Sequence, residues 1–208
     1  MKQKSIRRLQ GDFFKEQVEF LEMAVRELNE QGIAWMLVGS YETSAWEEAR
    51  FTDDIDILVD LSADQVTPLC AAFSGEEFYV IEQAAREAVR VGKQFNVLHP
   101  ASGNKIDFMI ARRDEWGRLQ MDRRQQGTIQ SGLTVQIASP EDVIISKMRY
   151  YQEGGSDKHL RDCAGVLAVQ GNRVDRDYIG KWSEYFGLIE IWQAILKRVV
   201  EVYGPDDT

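Results

Sequence analysis

The sequence is poor in cysteine and histidine. Its two cysteines, Cys70 and Cys163, lie far apart and form no CxxC, and its two histidines are His99 and His159. No zinc constellation can be assembled from these at recognised spacings, and the cysteines read as buried free thiols in a reducing cytoplasm. Also missing is any uncharged apolar run long enough to span a membrane. The first residues are basic but hold no apolar stretch of signal-peptide length. The chain therefore reads as cytoplasmic, with no membrane partner. Basic residues are outnumbered, since 25 Lys and Arg against 34 Asp and Glu give 25 − 34 = −9. So acidic a chain offers no broad basic face, which argues against non-specific binding of duplex nucleic acid. There are no internal repeats and no low-complexity segments.

What is present is an ordinary globular composition. The chain has 208 residues, 44% hydrophobic and 28% charged, which fits one domain or one domain with a small appendage. Phe14, Val18, Leu21, Val25 and Leu28 recur at helical spacing, and Gly32 is placed to end that helix. Residues 33–38 are apolar throughout and read as a buried strand. Residues 41–49 read as a helix and 55–59 as the next strand. Residues 61–73 read as a helix capped by Ser62, with Pro68 counting against it. A short strand over 78–81 and a short helix over 83–88 follow. Residues 94–98 and 105–110 flank a polar turn and read as a β-hairpin. A polar helix over 114–124 and a strand over 133–137 complete this half. From Ala138 the pattern is wholly helical. Ser139-Pro140-Glu141-Asp142 has a capping hydroxyl, a proline at the first position and acid in the first turn. Further helices are read around Leu160–Leu167, Tyr178–Phe186 and Ile189–Val202. The fold class is α/β (α+β), a mixed β-sheet flanked by helices over 1–138, followed by a small helical subdomain over 139–208.

The chemistry concentrates between Trp35 and Asp60. Strand side chains alternate between faces, so Asp54 and Asp56 point the same way, about 7 Å apart along the strand. Two aligned carboxylates repel unless a cation lies between them, and hard divalent cations take oxygen ligands. Upstream, Gly39-Ser40 stands where a strand passes into a helix, where free backbone N–H groups can hold phosphate. A phosphate cradle beside a carboxylate pair points to phosphoryl or nucleotidyl transfer. A phosphatase using an aspartyl nucleophile carries its DxD after an apolar strand, whereas here the apolar strand follows. A DxD glycosyltransferase needs a larger nucleotide-sugar domain than this chain supplies.

Gly39-Ser40, then Arg50-x-Thr52-x-Asp54-Ile55-Asp56, resembles the signature of the nucleotidyltransferase superfamily with the DNA polymerase β-like fold. Asp107, in Lys105-Ile106-Asp107-Phe108-Met109, matches the third carboxylate of that pattern. The stretch from Ala138 through Lys147, then Lys158-His159-x-Arg161-Asp162, is similar to small bacterial members, some of them toxins of abortive-infection or toxin–antitoxin pairs. The resemblance covers residues 33–168. It implies that Asp54, Asp56 and Asp107 are catalytic and hold magnesium, with manganese as a substitute. It implies that Gly39, Ser40, Arg50 and Lys147 bind a nucleoside triphosphate such as ATP. The acceptor stays open among a small molecule, a tRNA end and a protein hydroxyl. The competing reading is a catalytically silent nucleotide- or partner-binding module on the same fold. Plainer readings stand beside each residue. Ser40 can cap a helix, Arg50 can pair with a nearby acid, and Asp107 can be one acid of an edge hairpin. Lys147 can snorkel from an apolar helix. His159 can be structural, Lys158, Arg161 and Asp162 an ordinary charged face, and the five tryptophans core.

Overall fold

The computed structural model describes residues 2–39, 54–129 and 132–204. Ser40, Arg50 and the helix expected over 41–49 lie outside the described residues. The chain divides into two compact units that meet in sequence at Ile137 and Ala138.

The first unit is built on a mixed sheet. Helix α1 (Lys2–Glu30) presents Leu21, Ala24, Val25 and Leu28 at helical spacing, all buried. Gly32 ends it in the left-handed region at φ 63°, where a side chain would be strained. Strand β1 (Ala34–Val38) follows. The described chain resumes at β2 (Asp54–Asp60), whose residues alternate between buried and more exposed. Then come α2 (Val66–Ala72), β3 (Tyr79–Val80), α3 (Glu82–Val91), β4 (Gln94–His99), β5 (Asn104–Ile110), α4 (Glu115–Asp122), β6 (Gln125–Thr128) and β7 (Thr134–Ile137). The seven strands lie in the order β3-β4-β5-β2-β1-β7-β6. β2 runs parallel to β5, β1 parallel to β7, and the other pairs are antiparallel.

Register sorts the two faces of the sheet. Ile55, Ile57 and Val59 on β2 align with Ile106, Phe108 and Ile110 on β5. This apolar face packs under the helices through an aromatic run: Phe20 lies 6.3 Å from Phe73, which lies 6.1 Å from Phe108. Each fully buried side chain of this size contributes about 1.5–3 kcal/mol relative to exposure. The opposite face carries Asp54 and Asp56 on β2 and Lys105 and Asp107 on β5.

Three expectations are corrected here. The helix read over 61–73 starts only at Val66, and Ser62 does not cap it. The Ser62 hydroxyl bonds Asp64 and the Gln65 side chain in the preceding turn, at 2.6 and 2.8 Å. Pro68 thus falls in the first turn, where a missing N–H leaves no bond unmade. The strand β6 was not anticipated, because its sequence, Gln125-Gln126-Gly127-Thr128, has no apolar alternation. The hairpin bearing Asp107 is not at an edge, since β5 has β4 on one side and β2 on the other.

The second unit is helical: α5 (Pro140–Gly154), α6 (Asp157–Gln170), α7 (Arg176–Phe186) and α8 (Ile189–Tyr203), with a 3₁₀ turn over Gly171–Arg173. The Ser139 side chain accepts a bond from the Asp142 N–H at 3.2 Å, with Pro140 opening the helix. Gly155 ends α5 in the left-handed region. Ile144, Val166, Leu167, Ile179, Trp182 and Ile195 form the core. The Tyr178 hydroxyl donates to Asp142 at 2.8 Å, and the Asp175 N–H donates to Glu141 at 3.0 Å, so the acids of the first turn of α5 tie it to α7. Among the described residues, no helix is long and apolar enough to cross a membrane. Both cysteines are free and buried. Burial pushes the Cys70 thiol up to about 11, which keeps it unreactive.

Candidate functional site

Four charged residues stand in a rectangle on one face of the sheet. Asp54 pairs with Lys105 across the parallel ladder, and Asp56 with Asp107. Strands in a sheet lie about 4.8 Å apart and same-face neighbours along a strand about 7 Å apart, so all four groups share one small surface. The Lys105 ammonium lies 2.8 Å from Asp107 Oδ2 and 3.4 Å from Asp54 Oδ1. Asp54 is half exposed while the Asp107 side chain is only 9% exposed. Asp107 Oδ1 is buried with no hydrogen-bond partner. The hydrogen bond to Asp107, aided by the charges of Asp107 and Asp54, holds the Lys105 ammonium above the usual lysine range. Among the described residues, the rectangle brings three carboxylates and one ammonium to one face.

Gly39 closes one side of this surface. β1 ends at Val38, which pairs with Asp56. Gly39 follows with φ 73°, a conformation that disfavours any side chain. A Cβ at Gly39 would stand 2.1 Å from Asp56 Oδ2. The glycine therefore has a structural reason to be there that the sequence does not reveal: the space a side chain would take is held by the Asp56 carboxylate.

The residues fit a divalent cation in the kind of donor they offer. Hard cations take carboxylate oxygens, and Asp107 Oδ1 is a buried acceptor with nothing to accept from. As the side chains stand, no three His, Cys, Asp or Glu groups among the described residues are gathered tightly enough to hold a metal ion. Lys105 brings a positive charge to Asp54 and Asp107 in this arrangement.

The remaining sequence candidates fall elsewhere. Lys147 belongs to the second unit, on α5. It does not snorkel: it is buried, 4% exposed, and its ammonium lies 3.3 Å from Asp162, itself 3% exposed. Asp162 is therefore no part of an ordinary charged face. His159, one turn before Asp162 on α6, is half-buried with its ring 5.7 Å from Tyr150. Burial, with help from the Lys147 charge, depresses its basicity. Asp114 is not on an exposed helix face; it caps α4, accepting from the Gly117 N–H at 2.8 Å, and pairs with Arg112 at 2.6 Å. The residue that sequence reasoning missed is Lys105. The signal was available, because period-two alternation puts Lys105 on the face of Asp107.

By structure, the chain superposes on known proteins. It matches the crystal structure of ANT(2'')-Ia in complex with adenylyl-2''-tobramycin with a TM-score of 0.56, covering 82% of this chain and 99% of that one at 15% identity. It matches the solution structure of the antibiotic-resistance factor ANT(2'')-Ia with a TM-score of 0.58, covering 88% and 96% at 15% identity. This is the nucleotidyltransferase fold. At such identity the likeness is one of fold. No family profile and no curated protein sequence matches the chain. Within the nucleotidyltransferase fold of this chain, the acidic rectangle lies on the central strands β2 and β5, with Gly39 at the end of β1.

Proposed function

We propose that the chain is a divalent-metal-dependent nucleotidyltransferase. It moves a nucleoside monophosphate from a triphosphate, ATP being the first candidate, to an acceptor hydroxyl or phosphate. The observation that carries this reading is the alignment of Asp54, Asp56 and Asp107 on one face of two paired strands, with Gly39 against Asp56. The fold adds support, since the neighbour ANT(2'')-Ia is bound to an adenylylated compound.

In this reading Asp54, Asp56 and Asp107 hold magnesium or manganese, which when bound neutralises phosphate charge and acidifies an acceptor hydroxyl. The acceptor oxygen bonds to the α-phosphorus while the bond from that phosphorus to the bridging oxygen breaks, and pyrophosphate leaves with the electron pair. The Asp107 carboxylate takes up or orients the proton that the acceptor releases. Gly39 keeps the Asp56 carboxylate in place, and Ser40 with the backbone beside it meets the phosphates. Arg50 is the further phosphate-binding candidate, Lys147 being buried against Asp162. Little covalent work falls to the protein, so positioning and charge dominate. The acceptor class is a small molecule, a tRNA end or a protein hydroxyl.

One observation favours a second reading. Lys105 already neutralises part of the carboxylate cluster, as it would in a silent nucleotide- or partner-binding module. Incubation with each labelled triphosphate, magnesium or manganese and a cell extract separates the two. Transfer of label that disappears in Asp54→Ala and Asp56→Ala supports the enzyme. No incorporation with any triphosphate, by a protein that still binds one, supports the module.

A further inference from the structure

We infer that Lys105 is a resident counter-ion of the carboxylate site, displaced toward the substrate phosphates when a divalent cation binds. The inference rests on the transferase reading above and deepens it by assigning how the site is held before substrate arrives.

Lys105 occupies one corner of the rectangle, opposite Asp54 across the ladder and two residues before Asp107 on the same strand. Its ammonium reaches both carboxylates at once, at 3.4 and 2.8 Å. Without it Asp54 and Asp107 would lose the ammonium that faces both of them, which is unfavourable in a partly buried setting. Yet Lys105 is an incomplete partner. It engages Asp107 through Oδ2 and leaves Oδ1 buried and unbonded. A buried acceptor without a donor is destabilising, so Asp107 is satisfied in part and still favours a second positive group.

A divalent cation among these carboxylates would meet the ammonium at short range. Like charges that close repel strongly, and the two cannot share Asp107 and Asp54 without cost. The side chain remains about 30% exposed, so it has an open side toward which to move. Its stem starts on the same face as the carboxylates, and phosphates brought to that face would offer it new acceptors. Lys105 therefore opposes metal alone and favours metal together with triphosphate.

A purely structural ion pair makes a different prediction, and Lys105→Met separates them. The probes are Mn²⁺ alone, followed by electron paramagnetic resonance, and α,β-methylene-ATP in the presence of Mn²⁺, followed by calorimetry. Removing the competing ammonium should tighten Mn²⁺ binding by about tenfold and weaken the triphosphate analogue by about tenfold. Lys105→Arg, which keeps the charge, should restore both toward the parent values and shows that the corner tolerates substitution. Mn²⁺ affinity that is unchanged or weaker in Lys105→Met, while the parent binds Mn²⁺ normally, overturns the role of Lys105 alone. Absence of Mn²⁺ binding in the parent and both variants overturns this inference and the metal-dependent reading together.

Discussion

Replacing Gly39 by alanine perturbs the site through one contact that can be isolated. Gly39 lies at φ 73°, and the added Cβ would meet Asp56 Oδ2 at 2.1 Å and Cγ at 3.0 Å. Holding a non-glycine residue in the left-handed region costs about 1–2 kcal/mol. Driving the Asp56 carboxylate off its rotamer adds about 0.5–1.5 kcal/mol. Together these amount to about 1.5–3.5 kcal/mol, a fall in Tm of about 2–4 °C for each kcal/mol in a chain of this size. Thermal and denaturant unfolding of Gly39→Ala would measure the sum, and a double-mutant cycle with Asp56→Ala would apportion it. Once the carboxylate is gone, only the backbone part should remain, so Gly39→Ala should cost about 1 kcal/mol less in the Asp56→Ala background. An equal cost in both backgrounds would refute the claim that Gly39 makes room for Asp56. Transfer activity should fall much further than stability, because the group displaced is a proposed metal ligand.

Asp107→Asn preserves shape and removes one charge, so it should leave triphosphate binding within a few-fold and lower transfer by orders of magnitude. Asp114→Asn, which retains a capping oxygen but loses the ion pair with Arg112, should keep full activity; activity in the first or its loss in the second would move the site to another strand. Lys147→Met removes the ammonium beside the buried Asp162 carboxylate and should destabilise the chain by about 3–5 kcal/mol in denaturant unfolding, with Asp162→Leu added to it recovering most of the loss. His159 is depressed below the usual imidazole value of 6.5, mainly by burial. The unfolded chain then binds the proton more readily than the folded one. Its contribution to stability should be complete above about pH 6.5 and fall as pH drops below it. His159→Gln should flatten that part of the stability–pH curve, and an unaltered curve would exclude this source.

How much of this was legible in the sequence depends on the range of the physics involved. Asp54 and Asp56 sharing a face follows from local strand geometry. So do the Ser139 cap, the Gly32 stop and the β4–β5 hairpin, each of which needs only neighbours in the chain. Asp107 reached the list through family resemblance, since nothing in its own segment says that β5 lies against β2. That pairing joins residues about fifty positions apart, and register across such a distance is set by how whole strands pack. Local alternation puts Lys105 on the face of Asp107, but its second partner, Asp54, becomes visible only when the ladder is known. Lys147 was misjudged because an apolar helix favours a side chain reaching for water. The partner that makes burial tolerable, Asp162, comes from another helix. Polar β6 leaves no pattern to read, and Pro68 misleads because its helix starts five residues later than the sequence suggests.

The central claim is that the acidic face of β2 and β5 binds a divalent cation and a nucleoside triphosphate as one unit. Calorimetric titration with α,β-methylene-ATP, with magnesium and then with excess chelator, tests it most directly. The account predicts binding that requires magnesium and is abolished in Asp54→Ala and Asp56→Ala, with the thermal transition of both variants retained. Equal affinity with and without the metal, or binding indifferent to both substitutions, would contradict it.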